Sequence, residues 1–127
     1  MYSTYASTEM SSAFTECGYG NGGHAHPELL ILEVVDDNGL QVRNGELGEV
    51  VVTTLSVEGM PLIRFKTGDL CHVHYDLCKC GRFTTRLGPV MGRKQQMIKF
   101  KGTTLFPQII FNVLNMMPQI ELFQVEV

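Results

Sequence analysis

Apolar and β-branched runs alternate with clusters of turn residues over the first two-thirds of the chain. One run extends from Glu28 to Val35 and a second from Glu49 to Leu55, with turn residues between them at Asp37–Gly39 and Asn44–Gly48. Short apolar runs bounded by Gly, Asn and Asp are typical of strands joined by tight connections. The pattern therefore predicts two antiparallel strands here and a further strand over Leu70–Tyr75.

The two ends of the chain differ from this β region. Residues 1–23 are polar and small and lack periodicity, which predicts a loop with one short edge strand. A short strand is predicted at Met97–Phe100. Beyond it, Pro107 suits the first position of a helix, apolar residues follow at helical spacing, and Pro118 ends the helix. The closing residues, QIELFQVEV, predict a last strand.

Together these elements predict an α+β fold in two units. The first, residues 1–92, is a mainly antiparallel, β-barrel-like subdomain, and the second, residues 93–127, is a small β-α-β piece. A β module followed by strand, helix and strand puts the junction at Gly92–Lys94.

Length and charge exclude several classes of protein. The chain has 127 residues, enough for one core, and its net charge of −3 with a pI near 5.7 gives no electrostatic attraction to nucleic acid or an anionic membrane. No apolar run approaches the roughly 20 residues that a membrane span needs. The opening residues, MYSTYASTEMSS, lack a secretory signal, so a cytoplasmic location is expected.

Cysteine and histidine are concentrated in two short stretches. CKC supplies Cys78 and Cys80 from one tight turn, and CGYGNGGH supplies Cys17 and His24 across a glycine-rich loop. In a chain without a secretory signal such a set favours a metal over disulfides, and three thiolates with one imidazole suit tetrahedral zinc. Four protein ligands leave no open position, so the metal would be structural. The alternative ligands are His26, His72, His74 and Cys71, of which Cys71 suits the core better.

Four motifs follow one another along the chain: YASTEM, GELGEVVVTTL, KTGDL and GRKQQMIKFKGTTLFP. Taken together, they resemble the adenylate-forming acyl-CoA ligases, most closely the phenylacetate-CoA ligase branch, which also includes synthetases that adenylate a deazaflavin coenzyme. The resemblance implies a reaction in which a carboxylate attacks the α-phosphate of ATP, pyrophosphate leaves, and the thiol of CoA attacks the acyl-adenylate. It also implies that residues 93–127 begin a C-terminal lid domain.

Individual roles follow from the same resemblance. Asp69 would bind both ribose hydroxyls through its two carboxylate oxygens. Tyr5 would lie against the adenine, Thr8 would hydrogen-bond the α-phosphate, and Glu9 would approach a magnesium ion. Arg93 would reach the ribose or a phosphate from the hinge between the two units.

Two further residues of the implied lid belong to this set. Lys99 and Gly102, with Lys101 between them in sequence, would face the active site in the orientation that forms the thioester. Lys94 would occupy the hinge itself, where many relatives of the branch carry Asp. The metal ligands Cys17, His24, Cys78 and Cys80 have counterparts in members of the branch.

The resemblance covers only part of such an enzyme. It implies ATP, Mg²⁺, CoA and a phenylacetate-like aromatic acid for a complete enzyme, and a phosphate loop and a catalytic lysine that this sequence does not contain. The sequence therefore predicts a fragment that is inactive alone and self-associates through its apolar C-terminal segment. The alternatives are a zinc-stabilised β module that binds a protein partner and a deazaflavin-adenylating synthetase.

Overall fold

A computed structural model describes residues 2–20, 22–100, 103–120 and 124. These residues form strands, a short 3₁₀ helix at Lys94–Gln96 and an α-helix. The strands are β1 Thr4–Ser7, β2 Ser11–Glu16, β3 Gly23–Ala25, β4 Leu30–Val35, β5 Leu47–Thr54, β6 Phe65–His74, β7 Arg86–Arg93, β8 Ile98–Phe100 and β9 Thr103–Leu105, and the α-helix is α1 Pro107–Asn115.

In the described part of the chain, seven strands form one antiparallel sheet in the order β1-β2-β3-β7-β6-β5-β4. The α+β class is confirmed, but the prediction of a barrel-like closure is wrong. β1 and β4 stand at opposite edges, and within the described residues the hydrogen-bond ladder does not join them. The reason is that the residues before β4 add to the free edge of β7. The outer edge of β4 pairs locally with Gln41 and Val42 instead of with β1.

Residues 1–23 were predicted to form a loop with one short edge strand; β1 is an edge strand, but the segment also contains β2 and the start of β3. β1 and β2 form a hairpin, and β2 continues the sheet to β3. Ser and Thr dominate this segment, so its strand character was not visible in the composition. Two apolar side chains anchor it, since Met10 and Phe14 are buried in the core cluster.

The strands predicted at Glu28–Val35 and Glu49–Leu55 are confirmed as β4 and β5, paired antiparallel over six residue pairs. Val50 and Val52 of β5 belong to the main core cluster. Val51, which points to the opposite face, is buried as well. Both faces of β5 are therefore covered, which is why its sequence is a continuous apolar run.

The third predicted strand, Leu70–Tyr75, is part of β6, which begins five residues earlier at Phe65. Thr67 and Gly68, a pair that is also typical of turns, lie within this strand. Between the register pairs Glu49↔Leu70 and Val51↔Lys66, β6 contains two more residues than β5. The extra residues form a bulge, and Gly68 takes the φ of +79° that it requires.

The segment predicted to be the second unit contains the hairpin of β8 and β9 and continues into α1, whose start at Pro107 is confirmed. The strand predicted at residues 119–127 falls largely on residues outside the described ones. Phe106 is buried, and its ring approaches Gly92 so closely that a Cβ there would lie 2.5 Å from Cδ1 of the ring. The two-unit division stays a prediction.

Within the described ranges, no helix is long and apolar enough to cross a bilayer.

Candidate nucleotide site and metal centre

The β6 bulge presents Asp69 to the neighbouring strand. Thr67 donates from its hydroxyl to the carbonyl of Val50 at 3.0 Å and accepts from the amide of Asp69 at 3.1 Å. Asp69 then lies in register with Arg93 on β7. The bulge therefore holds the carboxylate in a fixed position although the β5 ladder is interrupted there.

Both oxygens of Asp69 accept hydrogen bonds. The hydroxyl of Tyr5 donates to Oδ2 at 2.6 Å, and Nε of Arg93 donates to Oδ1 at 3.2 Å. The side chain of Asp69 is only 12% exposed, whereas that of Arg93 is 65% exposed. Burial, and secondly the bond to Asp69, raise the pKa of Tyr5 well above its ordinary value, so the phenol keeps its proton and acts as a donor.

A cavity of about 140 Å³ opens beside this trio and is also lined by Ser7, Glu9 and Thr67. The Ser7 hydroxyl, then the backbone amide of Glu9, and more weakly Arg93, lower the pKa of the Glu9 carboxyl. Glu9 is thus an exposed anion at the mouth of the cavity. Thr8 lies in the turn between β1 and β2 with its side chain exposed, and it is not among the residues that line the cavity.

Lys94, the residue predicted to occupy the hinge, forms two ion pairs. Its Nζ lies 2.9 Å from Oδ1 of Asp37 and 3.1 Å from Oε2 of Glu49, whose side chain is 7% exposed. Lys99 is exposed and lines a second cavity, of about 300 Å³, beside Lys94. Lys99 does not line the cavity beside Asp69, and Gly102 and Lys101 lie outside the described residues.

The four predicted metal ligands come together. The ligand atoms of Cys17, His24, Cys78 and Cys80 all lie within 4.8 Å of one another. Sγ of Cys17 is 3.7 Å from Sγ of Cys78, and Sγ of Cys80 is 3.4 Å from Nε2 of His24. Tetrahedral zinc with bonds of about 2.3 Å to sulfur and about 2.0 Å to nitrogen sets edges of about 3.8 and 3.5 Å. The donor set fits that metal.

Both cysteine turns are built in the same way. The amide of Gly20 donates to the carbonyl of Cys17 at 3.0 Å, and the amide of Gly81 donates to that of Cys78 at 2.9 Å. Each glycine has a positive φ, +59° and +88° respectively. A glycine three residues after the first cysteine therefore closes each turn, a signal that the sequence carried in CGYG and CKCG.

The candidate ligands outside this group are occupied elsewhere. The ring nitrogens of His26 lie 3.2 Å from Oγ1 of Thr15 and 3.4 Å from Oε1 of Glu28, and Nδ1 of His72 lies 2.9 Å from the carbonyl of Gly45. His74 stands in register with Arg86, and Cys71 is a core thiol, where burial first and Asp69 second raise its pKa to about 12.

Two neighbours of the cluster were not predicted. Oγ1 of Thr84 lies 2.9 Å from Nδ1 of His24, which turns Nε2 of that ring toward the sulfurs. Arg86 is fully buried opposite His24 in the β3–β7 register, and its guanidinium donates to the carboxylate of Asp76 at 2.8 Å. A single threonine or arginine gave no signal in the sequence, because the residues that they contact are ten or more positions away.

Sequence comparison identifies the relatives of the chain. Over 100 residues it is 39% identical to the phenylacetate-coenzyme A ligase of Thermus thermophilus, an alignment that covers 78% of this chain and 22% of that protein. It is 34% identical over 103 residues to the enzyme of the same name from Pseudomonas putida, covering 80% of this chain and 22% of that protein. The chain is a relative of part of the phenylacetate-CoA ligases. The resemblance inferred from the motifs is confirmed.

Solved structures agree with this relationship to the adenylate-forming CoA ligases. A 2-hydroxyisobutyryl-CoA ligase in the postadenylation state with 2-HIB-AMP is 30% identical, with a TM-score of 0.80 over 92% of this chain and 26% of that one. The Bacillus subtilis O-succinylbenzoate coenzyme A synthetase, at 21% identity and a TM-score of 0.63, shares the fold. No family model matches the chain. The chain spans about a fifth of the length of its curated relatives.

Proposed function

We propose that this chain supplies the nucleotide-facing part of an AMP-forming acid–CoA ligase. The observation that carries the proposal is the trio of Tyr5, Asp69 and Arg93, in which a carboxylate 12% exposed holds a phenol at 2.6 Å and a guanidinium at 3.2 Å beside a cavity. A phenylacetate-like aromatic acid is the substrate class that the names of the curated relatives favour.

Each member of the trio has a part in holding an adenylate. A carboxylate has about four acceptor positions, so Asp69 can accept from ribose hydroxyls while it keeps its bond from Tyr5. Arg93 is exposed and can leave its single bond to Asp69 to meet a phosphate oxygen. Glu9, an exposed carboxylate at the cavity, would hold Mg²⁺, which offsets phosphate charge when bound.

Binding of AMP to this chain tests the proposal. We expect weak, saturable binding by titration calorimetry or ligand-observed NMR, and an at least tenfold loss on Asp69→Ala, about the effect of 1.4 kcal/mol. The comparison with 2′,3′-dideoxy-AMP isolates the ribose contact. Because that nucleotide lacks both hydroxyls, wild-type chain and Asp69→Ala should bind it equally weakly; a further loss on mutation would contradict a ribose role.

The identity of the acid substrate and the use of CoA are tested with a full-length enzyme. In a full-length ligase that carries this segment, phenylacetate is expected to support CoA-dependent AMP release better than 2-hydroxyisobutyrate, and the chain alone is expected to be inactive. Deazaflavin coenzyme is the matched competitor substrate. Preference for 2-hydroxyisobutyrate or for the deazaflavin would reject the aromatic acid and leave the adenylating role in place.

The second part of the proposal is a structural zinc ion held by Cys17, His24, Cys78 and Cys80. It rests on the distances of 3.7 and 3.4 Å between ligand atoms and on the burial of Cys78 and His24. When bound, such an ion cross-links loops that have little core of their own. Elemental analysis of the reduced protein should give about one zinc per chain, lost in Cys80→Ser and kept in Lys79→Ser, which changes the same turn.

The third part of the proposal is self-association through the exposed apolar face of α1, in the predicted second unit. Ile109 and Val113 lie one turn apart on α1 and are 46% and 50% exposed, and Met117 beyond them is 44% exposed. We expect self-association through this face in the cytoplasm, the location proposed from the sequence. Sedimentation velocity should show a concentration-dependent mass that Val113→Glu abolishes, whereas a monomer at every concentration would reject it.

A further inference from the structure

The pairing between β3 and β7, near the middle of the sheet, is short, and we call it the seam. β3 and β7 are joined over two register pairs, Gly23↔Leu87 and His24↔Arg86, and by one further bond from the amide of Ala25 to the carbonyl of Thr85 at 2.8 Å. By contrast, β4 and β5 are paired over six residues. The strands β1, β2 and β3, which we call the N-terminal arm, therefore hold to the rest of the sheet through few backbone bonds.

The candidate metal ligands are divided equally across this seam. Cys17 follows β2, and His24 lies on β3, so two ligands belong to the N-terminal arm. Cys78 and Cys80 lie in the connection between β6 and β7, on the other side. An ion held by all four would join the arm to the body of the sheet by two bonds from each side, at the point where the ladder is shortest.

The nucleotide-facing residues are divided in the same way. Tyr5 is on β1 and Glu9 follows it, both in the arm, while Asp69 and Arg93 are on β6 and β7. The 2.6 Å bond from Tyr5 to Asp69 can form only when the arm is seated. Packing of Met10, Phe14 and Ala25 in the core also favours the seated position.

We propose that the Cys17, His24, Cys78, Cys80 site is a clasp for the N-terminal arm, so that metal binding sets Tyr5 against Asp69 and is coupled to nucleotide binding. The inference rests on the proposed function for both sites. Coupling between two ligands is reciprocal. The factor by which the metal strengthens AMP binding must equal the factor by which AMP strengthens metal binding.

Hydrogen exchange followed by mass spectrometry tests the clasp without any assay of activity. The zinc-loaded chain is compared with the same chain after removal of zinc by a chelator. We expect amides of β1 and β2 to exchange at least about tenfold faster without zinc, and those of β4 and β5 to change by less than about twofold, because the arm opens as a local unit. Lys79→Ser should match the wild-type chain in both states.

Every outcome decides the question. If exchange rises equally in all strands, the ion stabilises the whole fold and the clasp is rejected. If zinc binds and the exchange of β1 and β2 does not change, the clasp is rejected while the zinc site stands. If no zinc binds, the proposed metal site itself fails, and the clasp fails with it.

A second experiment addresses the coupling. Zinc transfer from the chain to a chromogenic chelator is measured at equilibrium with and without AMP, and AMP affinity is measured with and without zinc. The clasp predicts equal factors, both greater than one, and both reduced toward one in Tyr5→Phe because the linking bond is absent. Equal affinities in the presence and absence of the other ligand would overturn the coupling, and failure of AMP to bind would reject the nucleotide proposal.

Discussion

Tyr5 and Asp69 touch although their strands are not neighbours in the sheet. The phenol of Tyr5 on β1 donates to the carboxylate of Asp69 on β6 at 2.6 Å, and β2, β3 and β7 lie between them in the strand order. At the usual strand spacing, four steps across a flat sheet would be about 19 Å. The sheet is therefore strongly curled. The hydrogen bond from Tyr5 to Asp69 connects two strands that the backbone ladder does not pair with each other.

Removal of the Tyr5 hydroxyl tests how much this bond contributes. Tyr5→Phe leaves a largely buried carboxylate with one donor fewer, so we expect a loss of about 1–2 kcal/mol in the free energy of unfolding, measured with urea. Tyr2→Phe is the matched control, because Tyr2 is 65% exposed, and it should change the midpoint little. Equal effects of the two substitutions would show that the bond is not a significant source of stability.

The contact between Gly92 and Phe106 predicts a steric effect at the predicted junction of the two units. A Cβ at Gly92 would lie 2.5 Å from Cδ1 of the buried ring, so Gly92→Ala should displace Phe106 and destabilise the protein by about 1–3 kcal/mol. On the same strand, a Cβ at Gly88 meets its nearest atom at 3.5 Å. Gly88→Ala should therefore be tolerated, and thermal unfolding of the two variants compares them directly.

The sequence predicted the elements whose apolar residues carry the local pattern. The strands β4 and β5 have continuous apolar runs, and α1 starts at a proline followed by apolar residues at helical spacing. These local patterns predict the elements without knowledge of what packs against them. For residues 1–23 the sequence predicted one short edge strand and not the further strands β2 and β3, because Ser and Thr make this segment polar and its strands are stabilised by pairing with β3 and by the burial of Phe14. The β6 bulge was missed because a Thr-Gly pair is equally typical of a turn.

The sequence predicted which residues form the candidate site but not how their side chains are arranged. The Cys and His spacing indicated the four residues that converge in the candidate metal centre. The sequence did not predict that Tyr5 and Arg93 already hold both oxygens of Asp69, because these contacts join β1, β6 and β7 across the curled sheet. Nor did it predict that Lys94 would pair with Glu49, a contact across 45 residues.

This Lys94–Glu49 pair predicts a measurable interaction at the hinge. Glu49 is 7% exposed on its side chain, and without Lys94 its remaining cation, Lys66, is 3.9 Å away. Lys94→Met should therefore lower the free energy of unfolding by about 1–3 kcal/mol, and combined with Glu49→Gln it should cost less than the sum of the two. Lys99→Met replaces an exposed lysine and is the control. Additive costs would mean that the pair does not stabilise the hinge.

Cys71 should differ in reactivity from the cysteines of the candidate metal centre. Burial raises the pKa of its thiol to about 12, and the residue is 1% exposed. After removal of metal, iodoacetamide should modify Cys17 and Cys80, which are partly exposed, and leave Cys71 unmodified for as long as the protein stays folded. Peptide mapping by mass spectrometry reads each site, and early labelling of Cys71 would contradict its place in the core.

Asp36 predicts how stability depends on acid. Its Oδ1 accepts from the amides of Leu40 and Asn38, both at 2.9 Å, and the Leu40 amide is the main cause that lowers the pKa of the carboxyl below its ordinary value of 3.8. A carboxyl with a depressed pKa in the folded state contributes stability that is fully present above the unfolded value. That contribution is lost as the pH falls through the lower, folded value.

Asp36→Asn isolates this contribution, because the amide oxygen keeps an acceptor for both backbone donors but does not titrate near pH 4. We expect the wild-type chain to be more stable than the variant at pH 6, and the difference in urea midpoint to shrink as the pH drops below 3.8. The replacement Asp37→Asn at the next position should give a different pattern, because that carboxyl pairs with Lys94 at 2.9 Å and its contribution is screened by salt. A difference between wild type and Asp36→Asn that stays constant from pH 6 to pH 3 would mean that the turn favours neither charge state of Asp36.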